Sequence, residues 1–170
     1  MSDKSYLSLL GTILWPLIMT RPDAMHGSFL CQFMSDPTIE CWSWAIALLS
    51  YLYGTRTLGL LYRRAGRVTL KLFADSSYGK HPKPMAGHCV FMNGTPVAWL
   101  AKKLKIVPLS SCEAETAALC VGCKALKFCQ NFLCELGSIA TVPMVVYTDS
   151  DAARLVIVNP GTTARTKHYE

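Results

Sequence analysis

Charge is scarce in this sequence: 16% of its 170 residues are Asp, Glu, Lys or Arg, against 51% hydrophobic ones. That balance excludes general disorder, which needs low hydrophobicity and high net charge. A membrane-spanning helix needs ~20 consecutive apolar residues, and the candidate run from Tyr6 to Met19 is shorter. That run also lacks the basic flank and the small-residue cleavage site of a secretory signal. Histidine is rare, and no His pair has metal-ligand spacing. Cys120 and Cys123 form one CxxC with no second beside it, so a packed helix face accounts for them better than a zinc module. Internal repeats and low-complexity tracts are also missing.

What is present is enough apolar residue for a sizeable core, in a length that suits one domain or one domain plus part of another. Eight cysteines at irregular spacing point to a reducing, intracellular setting with free and mostly buried thiols. The excess of 17 basic over 11 acidic residues gives a net charge of +6, compatible with a polyanionic partner.

The first third reads as helical. Ser5 to Met19 is one candidate helix, and a second begins at Pro22 and runs to about Met34, since proline suits a first helical turn. Asp36-Pro37 opens a third, with Asp36 as its cap and Gly54 as its end. Its apolar residues fall on nearly every side, which predicts burial or packing against another body. From Leu58 the period changes. GLLYRRAGRVTLKLFAD reads as two short strands joined at Ala65-Gly66, the second ending at Asp75. A loop follows, then a hairpin in HCVFMNGTPVAWL around Asn93-Gly94. A long helix spans about Ser111 to Leu136, with an apolar stripe of Ala114, Ala118, Val121, Ala125, Phe128 and Phe132. PMVVYTD is an apolar strand expected to be covered on both faces, and SDAARLVIV is a final short helix. The long helix is a crossover that makes the Asp149 strand parallel to a neighbour. The expected fold is α/β: a mixed sheet with flanking helices, preceded by a small helical segment.

Asp75 and Asp149 each close a strand, and parallel pairing would bring them out at one edge. The start of the long helix offers Glu113 and Glu115. The spacing Ser110-x-x-Glu113 fits a capping box, in which Glu113 reaches back to the cap. Glu115 has no such duty and lies beside the apolar stripe, where an acid without a cationic partner is costly. A set of Asp, Glu and Asp without His or Cys favours Mg²⁺ or Mn²⁺. The competing account is that strand-end aspartates serve as turn residues. Lys102, Lys103 and Lys105 after the hairpin are candidates for phosphate contacts or for a solvated loop.

Eight stretches in order, YLSLLGTILWPLIMTRPD, FMSDPT, YLYGTRTLGLLY, GHCVFMNGTPVAW, LAKK, LSSCEAETAAL, YTDSDAA and NPGTTARTKH, resemble the end of a copia-type long terminal repeat retrotransposon Pol polyprotein. The resemblance covers nearly the whole chain. It implies that residues 1–57 are the tail of a reverse transcriptase and residues 58–170 a ribonuclease H-like domain, truncated at its carboxyl end. It also implies catalysis and metal binding by Asp75, Glu115 and Asp149, with two Mg²⁺ or Mn²⁺ ions hydrolysing the RNA of an RNA–DNA hybrid. Nucleic-acid contacts would fall to Lys102, Lys103, Lys105, Arg165 and Lys167, with His168 in the same motif. The implied partners are the hybrid and the polymerase part of the same polyprotein, with no membrane. The implied location is the cytoplasm, within a virus-like particle.

Four departures from the family pattern bear on activity. Ser77 and Tyr78 replace a common Asp-Trp, Thr116 replaces an aromatic residue, and His81 to Ala86 lacks an Arg-Ser-Thr run. The family's fourth acid is expected beyond Glu170, so residues 1–170 are expected to cleave poorly. The alternative reading is a non-catalytic remnant that keeps the fold and binds nucleic acid.

Overall fold

The computed structural model describes residues 3–64, 68–78, 84–137 and 144–158. Helix α1 spans Asp3–Met19, a 3-10 helix spans Pro22–Phe33, and α2 spans Ile39–Gly54. Strands β1 (Leu70–Ser76), β2 (Met85–Met92) and β3 (Thr95–Lys103) follow, then helix α3 (Ser111–Glu135), strand β4 (Met144–Tyr147) and helix α4 (Asp151–Val158). The sheet order is β3-β2-β1-β4. Both pairs involving β2 are antiparallel, and β1 with β4 is parallel. This is the ribonuclease H-like α/β arrangement expected from the sequence.

The helical part makes its own core from one face of each element: Tyr6, Leu10, Ile13 and Leu17 of α1 meet Met25 and Leu30, and Cys41, Ala45 and Leu48 of α2. Arg21 ties the three elements together. Its guanidinium donates to both oxygens of Asp23 at 2.9 and 2.7 Å and to the carbonyl and hydroxyl of Thr55, while the Tyr51 hydroxyl donates to Asp23 at 2.8 Å. Two hydrogen bonds dock this unit on β3, from Trp99 Nε1 to the Leu17 carbonyl at 2.8 Å and from the Ser28 hydroxyl to the Ala101 carbonyl at 2.9 Å. The expectation that the third helix is buried or packed against another body is half met: Cys41, Ala45, Leu48 and Leu52 of α2 are buried, while Ile39 and Tyr53 stay 79% and 69% exposed.

Several local expectations are corrected. The cap of α2 is Thr38, whose hydroxyl accepts from the Cys41 amide, not Asp36. The Leu58–Arg64 stretch is not a strand. It runs beside the start of β3 through side-chain bonds, with the Thr95 hydroxyl donating to the Leu61 carbonyl at 2.6 Å and Tyr62 donating to the Pro96 carbonyl at 3.0 Å. Pro96 has no amide hydrogen for a ladder there. The hairpin is as expected, with Asn93 and Gly94 at φ 50° and 86°, the left-handed pair of a tight turn. The cysteines are all free, but only Cys41 is buried, and Cys120, Cys123 and Cys134 are exposed, so the thiols are not mostly buried.

Helix α3 crosses β1 and β2 with small residues toward the sheet. Its buried positions are Ala114, Glu115, Ala118, Leu119, Gly122 and Leu126. Phe128 and Phe132, expected in the core stripe, are 70% and 52% exposed. The face that meets the sheet is instead the one carrying Gly122 and Leu126, and the approach is closest at Gly122, where a Cβ would lie 2.9 Å from Leu72 Cδ1 and 3.2 Å from His88 Cβ. Gly122→Ala should therefore destabilise the protein by about 1–3 kcal/mol, the usual cost of overpacking, although alanine favours helix. Denaturant unfolding checks this; an unchanged midpoint would show that Leu72 yields freely. Strand β4, expected to be covered on both faces, is 38–41% exposed along its length. Among the described residues it is an edge strand, flanked by β1 alone.

Candidate metal centre

Strand alternation directs Leu70, Leu72 and Ala74 into the layer beneath α3 and turns Lys71, Phe73 and Asp75 the other way. Parallel pairing sets Phe73 opposite Tyr147, so Asp75 and Asp149, each two residues on, leave the sheet at the same edge. Glu115 sits in the second turn of α3, which starts beside that edge. One carboxylate oxygen from each of Asp75, Glu115 and Asp149 lies within 4.8 Å of the others.

The two aspartates are exposed and the glutamate is buried. Glu115 Oε1 accepts from the Ser76 hydroxyl at 3.0 Å. Its Oε2 is buried with no hydrogen-bond partner. Burial raises the pKa of Glu115, the hydrogen bond from Ser76 opposes this, and the negative charges of Asp75 and Asp149 raise it further. A cation would reverse all of these penalties. The residues fit one: three hard oxygen donors converge, and a buried oxygen lacks any other partner. At Mg²⁺–oxygen distances of 2.0–2.1 Å, opposite ligands of one ion are about 4.2 Å apart, so small side-chain rotations suffice. This acidic triad could hold a metal ion.

Glu113 has a different occupation. The Ser110 hydroxyl accepts from the Glu113 amide at 3.2 Å, and Glu113 Oε2 accepts from the Leu109 amide at 2.6 Å. The carboxylate thus reaches one residue further back than the cap's own amide, but it still secures the helix start. Glu113→Ala should cost about 0.5–2 kcal/mol. Glu115→Ala should leave stability in chelator equal or higher at neutral pH, because it relieves a cluster of like charges, and should abolish metal binding. Thermal melts with and without Mg²⁺ separate the two; matched behaviour would refute the division of roles.

A groove of about 550 Å³ runs from Asp75 and Asp149 across the sheet face opposite α3, floored by Phe73 and Tyr147 and walled by Met25 and His26. The Phe73 and Tyr147 rings stack 4.6 Å apart. Sequence reasoning missed this groove. The signal was an aromatic residue two places before each strand-end aspartate, in FAD and YTD. Lys102 and Lys103 belong to the end of β3, and Lys105 follows it; all three are exposed. The register Ser76–Ala86–Lys102 puts them at the same end of the sheet as Asp75. Arg165, Lys167, His168 and Glu170 lie outside the described residues.

Over 167 residues the chain is 30% identical to the retrovirus-related Pol polyprotein from transposon RE1 of Arabidopsis thaliana, covering 96% of this chain and 11% of that protein. It is 30% identical to the Pol polyprotein from transposon TNT 1-94 of Nicotiana tabacum, over all of this chain and 13% of that protein. The chain belongs to the retrovirus-related Pol polyproteins of copia-type transposons. It spans about a tenth of the length of the Pol polyproteins it matches. It is also 37% identical over 123 residues to secreted RxLR effector protein 161 of Plasmopara viticola, matching 70% of this chain and 87% of that protein. No family model and no solved structure matches the chain. In this Pol-family chain, no helix among the described residues is long and apolar enough to cross a membrane.

Proposed function

We propose that residues 58–170 form a ribonuclease H-type nuclease domain of a copia-type Pol polyprotein, which hydrolyses the RNA strand of an RNA–DNA hybrid. Residues 1–57 are then the tail of the reverse transcriptase. The supporting observation is the convergence of Asp75, Glu115 and Asp149 from three elements, with Glu115 Oε2 buried and unpartnered. Two Mg²⁺ ions about 4 Å apart would supply an activated water and stabilise the leaving oxygen of the phosphodiester.

The chain's own residues supply placement. Asp75 and Asp149 are exposed and reach toward a substrate from rigid strand ends, while Glu115 anchors the site from beneath. Lys102, Lys103 and Lys105 give positive charge at that sheet end, suited to backbone phosphates. Selection of RNA over DNA rests on the 2′-hydroxyl, a donor and acceptor that DNA lacks. The test is degradation of the labelled RNA strand of a hybrid, with and without Mg²⁺, and with duplex DNA as control. Cleavage confined to the hybrid and dependent on Mg²⁺ is expected. Hybrid binding without any cleavage would instead identify a non-catalytic remnant.

A further inference from the structure

Glu115 has two oxygens in one apolar setting, yet they differ. Oε1 accepts from Ser76 at 3.0 Å, and Oε2 is buried without a partner. The nearby cluster of Ala86, Leu104, Ala114 and Ala118 has no side-chain donors to offer either oxygen. We propose that Ser76 is a positioning residue for the metal centre, whose hydroxyl engages Glu115 Oε1 and leaves Oε2 for a divalent cation shared with Asp75 and Asp149. This rests on the reading of the triad as a metal centre.

The geometry suits the role. Strand alternation that turns Asp75 outward turns Ser76 toward α3, so adjacent residues of one strand serve one site from two directions. Ser76 is itself held firmly. It pairs with Ala86 in the β1–β2 ladder, the Ser77 amide donates to the Met85 carbonyl at 2.9 Å, and the Met85 amide donates to the Ser77 hydroxyl at 3.0 Å. A hydroxyl on so fixed a backbone restricts the Glu115 carboxylate to one rotation about its final bond. Without it, the Ser76 backbone amide, which also favours the charged Glu115 carboxylate, is left as the weaker restraint, and both oxygens can compete for the ion. Partners of this kind, which orient a ligand without touching the metal, typically alter affinity 10–100-fold.

The experiment titrates the full chain with Mn²⁺, following free ion by electron paramagnetic resonance, for the wild type, Ser76→Ala, Ser76→Thr and Asp149→Asn. Melting midpoints in chelator are recorded for each. Ser76→Ala should bind Mn²⁺ about 10–100-fold more weakly while remaining cooperatively folded in chelator, and Ser76→Thr, which keeps the hydroxyl, should restore the affinity. Wild-type affinity in Ser76→Ala would overturn the proposal, as would a threonine variant no better than alanine. If the wild type binds no Mn²⁺ that Asp149→Asn removes, the metal centre itself fails and this role falls with it. A wild type that binds normally beside an unaffected Ser76→Ala sinks the positioning role alone.

Discussion

Asp149→Asn should remove Mg²⁺-dependent cleavage of the hybrid by at least about 10²-fold, since metal-borne charge stabilisation is worth several kcal/mol. The substitution keeps size and shape and removes one negative charge from an exposed position, so the fold should be untouched. Asp149 lies beyond the end of β4 and does not contribute to the buried clusters. Its loss leaves Asp75 and the buried Glu115, too few anionic oxygens to fix an ion against water. The measurement is the initial rate on a labelled hybrid. A melting midpoint in chelator accompanies each protein. Full cleavage by the asparagine variant would remove Asp149 from the site and the two-ion reading with it.

Arg21→Ala should be strongly destabilising. The Arg21 side chain is 7% exposed and its Asp23 partner 29%. Removing the cation strands a half-buried carboxylate and leaves the Thr55 carbonyl without its guanidinium donor. Breaking a buried pair from one side costs about 3–5 kcal/mol, and Asp23's residual exposure favours the lower end. For a chain of this size that is roughly a 6–12 °C fall in melting midpoint. The Arg21 guanidinium also holds the Asp23 carboxyl below the usual range, against the opposing effect of burial. That contribution is complete above the ordinary carboxyl pKa and is lost as pH falls through the depressed one. The variant should thus show a shallower acid limb in its stability curve. A loss under 1 kcal/mol would show that the helices hold together without this junction.

The candidate site was legible because its three acids fall where strong local signals close a strand or open a helix. Asp75 and Asp149 close apolar runs, and the Ser110–Glu113 spacing announced the start of α3, which left Glu115 unexplained. The fold's errors fall where packing overrules pattern. Phe128 and Phe132 continue a good helical stripe, but the face of α3 that meets the sheet is the one carrying Gly122 and Leu126. Leu58–Arg64 has strand-like composition, yet Pro96 denies it a ladder partner, and composition alone does not register a missing donor on another segment. The Ser76–Glu115 bond was beyond reach for a similar reason: it joins residues from different elements, and no local period records such a meeting.

The parallel pairing of β1 with β4 also orders events in time. Strands β1, β2 and β3 are consecutive, and their hairpin can close early over a short loop. Phe73 meets Tyr147 only after all of α3 has been laid across the sheet, and closing so long a segment carries the larger entropic cost. Asp149 is therefore the last of the three acids to arrive. A chain still emerging from the ribosome, or one stalled before β4 docks, can display Asp75 and Glu115 but not the finished triad. Cation binding would then report completed folding of the β1–β4 pair.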